Sequence, residues 1–269
     1  MIERALVCSG PDLPERSAAY AAVFGSQRVS VLDRADTTAF STTLIDGGVV
    51  VDVPDPDGLP AGVLANLADR GALLMAAAPP SQPPEGLRVT LATPDVVAGP
   101  LLSLAGLLGG LGVRTMTKAV ILAGDGVSAP SLFRGCLALA VLGGPIERLA
   151  TRERDARFWS VGRFVDGSIA YLEAGTRSVA GTDVELLQAL GRDQTLEYDS
   201  RARQNRVYVA GRWRSLSVHR ESPYTQMLRR MQASGAWTGL PEHADGLRQA
   251  AAIYAAVRRA ADQPQAVVL

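Results

Sequence analysis

Histidine, cysteine and lysine are scarce in this chain, and they stand apart. The two histidines, His219 in "SVHRES" and His243 in "LPEHADG", have no partner at metal-ligand spacing, so no metal site is expected. Cys8 and Cys136 lack CxxC spacing and read as buried thiols in a reducing compartment. Lys118 is the only lysine. It alternates with Met116 and Val120 as on a strand, so it is either a solvent-facing sheet lysine or an amine directed into a cleft between domains. Arginines cluster in "TRERDAR", "SRARQNR" and "GRWR". They read as cross-strand partners of Glu153, Asp155, Glu197 and Asp199, with capture of a carboxylate or phosphate by Arg177 or Arg212 as the alternative. Tyr171, Tyr208 and Trp213 read as strand aromatics or as a ligand wall. The catalytic candidates are Lys118, Arg134, Tyr171 and Arg177.

The elements that must position these groups change character midway. From residue 1 to 112 the chain alternates short apolar runs with helical stretches. "RALVCS", "QRVSVLD", "GGVVVDVP" and "ALLMA" are strands; "PERSAAYAAVFG" and "LPAGVLANLADRG" are helices, each stopped by glycine. That order implies a doubly wound, Rossmann-like parallel sheet. The rigid "PPSQPPEG" stands where such a fold places a further helix, and the strand "LRVTLA" and the apolar helix "PLLSLAGLLGGLG" come after it. From 113 to 269 strand-like runs follow one another around one apolar helix, "SLFRGCLALAVLGG", and the tail returns to helix. This second domain reads as α+β, a mostly antiparallel open sheet backed by helices.

Composition excludes several functions. Lys plus Arg equals Asp plus Glu at 27 each, so no global field draws the chain to nucleic acid or an anionic membrane. The longest apolar run, "GPLLSLAGLLGGLG", is too short and glycine-rich to span a bilayer. The start "MIERALVCSG" has no signal-peptide pattern, and a cytoplasmic location is expected.

The order of parts resembles the glucose–fructose oxidoreductase and inositol dehydrogenase family (Gfo/Idh/MocA). "VSVLDR" looks like the family's second strand with its ribose-binding acid, here Asp33. "DPDGLPAGVLANLADRGALLMAAAP" is similar to the family stretch from a Thr-Pro turn through a helix to Glu-Lys-Pro. "GSIAYLEAG", "DVELLQALGRDQTLEYDS" and "DGLRQAAAIYAAVRRA" resemble its sheet strands and last helix. The opening "RALVCSG" and the local shortenings resemble the thiazolinyl imine reductase branch slightly more than the sugar dehydrogenases.

The same resemblance exposes losses. In the first βα turn, "CSGPDLPERS", Gly10 survives, but Pro11 and Pro14 lack N–H groups, and Asp12 brings a carboxylate where phosphate belongs. The Thr-Pro turn reads Asp55-Pro56-Asp57, adding two anions. Glu-Lys-Pro reads Ala77-Ala78-Pro79. The helix on which the family carries Asp and His has Arg134 as its one charged side chain. A general acid must present a titratable group, and these positions present none. The reading is therefore a small-molecule enzyme working without a cofactor in an interdomain cleft, by a cyclisation or isomerisation. The alternatives are a reductase of imines or carbonyls that binds NADP or NAD atypically, through Gly10 and Asp33, and a non-catalytic subunit paired with an active relative. A homodimer or heterodimer through the second-domain sheet is expected.

Overall fold

A computed structural model describes residues 2–10, 12–33, 48–94, 99–123, 128–176, 183–192, 194–201, 206–209, 211–215, 221–237, 244–261 and 267–268. The chain divides into two compact units, Met1–Ala98 with His219–His243, and Gly99–Val218 with Ala244–Leu269.

The first unit holds strands β1 (Arg4–Cys8), β2 (Val29–Leu32), β3 (Val49–Val53), β4 (Leu73–Ala76) and β5 (Arg88–Leu91), all parallel in the order β2-β1-β3-β4-β5. Every residue of β3 and β4 is buried, the mark of a parallel sheet covered on both faces. Helix α1 (Leu13–Phe24) follows β1, and helix α2 (Ala61–Asp69) follows β3. Val63, Leu64 and Leu67 of α2 join Leu6, Val51 and Leu74 in one apolar core. No helix separates β4 from β5, because the proline-rich stretch between them cannot supply the N–H groups that a helix needs.

The second unit opens with helix α3 (Pro100–Ala105). Its sheet contains β6 (Arg114–Ala123), β7 (Ile146–Arg154), β8 (Arg157–Phe164), β9 (Ile169–Thr176), β10 (Val184–Gly191) and β11 (Thr195–Asp199), with β14 (Val267–Val268) at one edge. The order is β11-β10-β6-β9-β8-β7-β14; β6 and β9 run parallel and the other pairs antiparallel. Strands β12 (Arg206–Val209) and β13 (Arg212–Ser215) form a separate two-stranded ribbon. Helix α4 (Ser128–Gly143) lies on one face of the large sheet, and is so close that a Cβ at Gly135 would sit 2.4 Å from Leu172 Cδ1.

The two tail helices part company. Helix α5 (Pro223–Ser234) packs on α1 in the first unit, while helix α6 (Ala244–Ala261) packs on α4 in the second. Ser222 caps α5 by accepting from Thr225 N–H at 3.2 Å, and Gly235 ends it in the left-handed region at φ 67°. The boundary read at 112 is thereby corrected. Residues 99–112 belong with the second unit, and the first unit reclaims residues 219–243, because α5 buries its apolar face against α1 rather than against the second sheet.

Candidate functional site

The carboxyl ends of β1 and β2 lie side by side. Cys8 pairs with Leu32, and Ser9 N–H donates to the Leu32 carbonyl at 2.8 Å. Gly10 and Asp33 thus follow the carboxyl ends of two neighbouring strands. Ligands of open parallel sheets gather at such strand ends. Gly10 adopts φ 149°, which L side chains rarely adopt, so the backbone angle calls for glycine, while a Cβ there would meet the Pro54 ring at an ordinary 3.5 Å.

Helix α1 begins just past this turn with an open amino end. Asp12 is its N-cap in a left-handed conformation, φ 54°, and its carboxylate makes no capping bond. The dipole and the N–H groups of Leu13 and Glu15 are thus left for another acceptor. Pro14 sits in the first turn, where it removes a donor but breaks no intrahelical bond.

Beneath the turn lies a group of polar side chains cut off from water. Arg16, on the inner face of α1, donates to Asp52 of β3 and, at 2.7 Å, to the Cys8 carbonyl. Their side chains are 5% and 2% exposed. Tyr224 of α5 donates to the second Asp52 oxygen. Tyr20 donates to Met75 Sδ at 3.1 Å, and its ring centroid stands 6.1 Å from that of Tyr224. Burial pushes the Asp52 carboxyl up, against the pull of Arg16 and of the tyrosine hydroxyls. Both tyrosines are raised well above their ordinary value, by burial first and by Asp52 second. Sequence reading missed this network. Its signal was an Asp inside the apolar run "VVVDV" and an Arg on the apolar side of the first helix.

The anions that stood against a phosphate are disposed differently from the expectation. Asp57 accepts from both the amide and the hydroxyl of Ser81, at 2.8 and 3.0 Å, so its charge is spent pinning the proline-rich loop. Asp12 is exposed, where water reduces repulsion between charges about 4 Å apart to about 1 kcal/mol. Asp55 is half-buried. Ala77 is half-buried and Ala78 fully buried, so this turn carries no proton donor.

The second unit scatters the remaining candidates. Arg134 of α4 is bound to Glu185 of β10 at 2.8 Å. Along α4, Phe133, Cys136, Leu137 and Leu139 are buried apolar packing, and burial drives the Cys136 thiol far above its ordinary value. Gly135 of α4 faces Ile121 and Leu172, which sets Lys118 and Tyr171 on the opposite face, free of helix among the described residues. There Lys118 Nζ stands 5.5 Å from the Tyr171 ring, and Tyr171 donates to Glu173 at 3.4 Å. Arg134 therefore does not meet Lys118 and Tyr171. Arg212 and Trp213 are exposed on β13. Arg177, His219 and His243 lie outside the described residues, as does the side chain of Tyr208. A pocket of about 380 Å³ is lined by Leu108, Leu111, Gly112, Val113, Arg114 and Asp166, with the last two bonded to each other. Among the described residues no three metal-binding side chains cluster, and no helix is long and apolar enough to cross a membrane.

No protein-family model and no curated protein matches the sequence. Solved structures do match. GenD2 from gentamicin A biosynthesis, in complex with NAD, is 16% identical over 100% of this chain and 97% of its own, with a TM-score of 0.66. Levoglucosan dehydrogenase, in complex with NADH and levoglucosan, is 14% identical over 100% and 99%, with a TM-score of 0.69. The WlbA dehydrogenase from Bordetella pertussis, in complex with NADH and UDP-GlcNAcA, is 13% identical over 100% and 99%, with a TM-score of 0.70. The shared fold is that of the Gfo/Idh/MocA-type oxidoreductases, and the resemblance read from the sequence holds at that level. The expectation of a site without a cofactor is corrected. The same fold holds NAD or NADH in all three neighbours, and of the anions counted against a diphosphate Asp12 is exposed and Asp57 is bonded to Ser81.

Proposed function

We propose that this chain is an NAD(H)-linked oxidoreductase of a small imine or carbonyl compound. The observation that carries the reading is the edge formed by β1 and β2, where Gly10, the open amino end of α1 and the exposed carboxylate of Asp33 converge in a fold that binds NAD(H) elsewhere. Asp33 would accept from the adenosine ribose hydroxyls. Its negative charge disfavours the 2′-phosphate of NADP, so NAD(H) is the preferred form. Gly10 and the N–H groups of Leu13 and Glu15 would receive the diphosphate. When bound, the nicotinamide supplies or accepts the hydride.

The chain's own residues then limit the substrate. The turn after β4, Ala77 and Ala78, offers no general acid, so a substrate that gains its proton from water suits the chain best. A cyclic imine, largely protonated in solution, meets that condition better than a ketone. We also infer that the helix-free face of the second sheet pairs with a second copy or a relative. Val161 and Ile169 on that face are 53% and 49% exposed, an apolar share that supports an interface.

Turnover tests the reading. NADH oxidation is expected with cyclic imines, rising as pH falls and the imine protonates, and weaker with ketones. If NADH binds but no imine, ketone or aldehyde is reduced, the catalytic reading fails and a non-catalytic partner subunit takes its place.

A further inference from the structure

The buried Arg16–Asp52 pair calls for a reason to exist. Removing both charges from water costs several kcal/mol per ion in the interior, so such a pair is weak evidence for stability. Its hydrogen bonds end at a specific place. Arg16 Nη2 reaches the carbonyl of Cys8, the last residue of β1, and lies 3.8 Å from where a Cβ on Gly10 would be. At the other end of the chain of bonds, Tyr224 belongs to α5, more than 200 residues from the turn by the numbering. α5 is itself fixed to the rest of the first unit. It packs on α1, and Trp237, just beyond it, sets its ring tilted against Phe24, centroids 5.5 Å apart, and accepts at its carbonyl from Thr90 of β5.

We propose that Arg16, Asp52 and Tyr224 are positioning residues for the nucleotide turn, holding Ser9 and Gly10 from below through the path Tyr224–Asp52–Arg16–Cys8 so that the N–H groups there are set to receive a diphosphate. This rests on the NAD(H) reading above. The path explains how a turn that has given two donor positions to Pro11 and Pro14 keeps the remaining ones in place. Support comes from below, by a guanidinium, rather than from the glycine-rich backbone alone. It also explains why α5, from the far end of the chain, docks in the first unit with a tyrosine aimed at β3.

The test uses the full chain and Tyr224→Phe, which deletes one hydroxyl and keeps the ring against Tyr20. Two protected amides report on the turn without any nucleotide. They are Ser9, bonded to the Leu32 carbonyl at 2.8 Å, and Arg16, bonded to the Asp12 carbonyl at 2.9 Å. Their hydrogen exchange is expected to quicken about tenfold in Tyr224→Phe, the scale of one lost charge-assisted bond. Leu67→Ala, a core truncation on α2, is the control. It lowers global stability and leaves the local exchange of these two amides unchanged. NADH affinity should fall by about tenfold in Tyr224→Phe alone. Exchange equal to wild type in Tyr224→Phe, or equally quickened in Leu67→Ala, overturns the proposal. Should the wild type fail to bind NADH while the Ser9 and Arg16 amides still respond to Tyr224→Phe, the coupling of α5 to the turn stands and the NAD(H) reading falls.

Discussion

The two units handle charge in opposite ways. Beneath the β1 turn of the first unit, an Arg, an Asp and a Tyr are sealed in the core where aliphatic side chains would pack at least as well. Along α4 of the second unit, the side chains facing inward are Phe133, Leu137 and Leu139, and the one charge, Arg134, is drawn off to Glu185. The difference teaches where this chain has spent its polar groups. In the first unit they are sealed beneath the turn after β1, and the inner face of α4 has none.

That contrast can be broken most severely at Asp52. Asp52→Ala strands the Arg16 guanidinium and the Tyr224 hydroxyl in the core and should cost about 3–5 kcal/mol in urea unfolding. Replacing Arg16, Asp52 and Tyr224 together by Met, Val and Phe leaves nothing stranded and should fall within about 1 kcal/mol of wild type or above it. If the single variant were mild, or the triple variant as damaging as the single one, the network would be ordinary packing and the contrast with α4 would dissolve.

A smaller and more discriminating effect lies in pH. Asp52 titrates above its ordinary range in the folded chain, so the first unit binds that proton more tightly folded than unfolded. Its contribution is fully present in acid, and is lost as pH rises from about 4, the unfolded value, through the raised folded value. Asp166 and Asp199 in the second unit are lowered. For Asp166, partial burial acts upward but is outweighed by the Ser168 hydroxyl and amide and by Arg114; for Asp199, the Arg201 side chain dominates. Their contributions are present above about pH 4 and are lost as pH falls through the lowered folded values. Hydrogen exchange followed across that range should therefore show protection in β3 easing as pH is raised while protection in β9 and β11 improves, after correction for intrinsic exchange. Parallel behaviour in both units would contradict the assignment.

The strands and helices were legible because each is a short apolar run or a glycine-stopped amphipathic stretch, and "VVVDVP", "ALLMA" and "SLFRGCLALAVLGG" fold where their patterns put them. The helix-less passage through "PPSQPPEG" was legible for the same local reason, the missing N–H groups of proline. What escaped was non-local. The place of α5 depends on a face complementary to α1, and nothing within "SPYTQMLRRMQASG" says which of two sheets it will join. The candidate site was misjudged in its charges. Asp57 reads as a free anion beside a phosphate path until its bonds to Ser81 are seen, 24 residues away. Gly10 and Asp33 could be placed at the strand ends because both follow directly from the runs that carry them.

The central claim is that the first unit receives NAD(H) at this edge, and calorimetric titration of the full chain with NADH and NADPH tests it most directly. The account predicts saturable NADH binding with Kd on the order of 1–100 μM, NADPH at least about tenfold weaker because of Asp33, and a loss of that discrimination in Asp33→Ala. Absence of a saturable heat with either nucleotide, at concentrations well above that range, would contradict it.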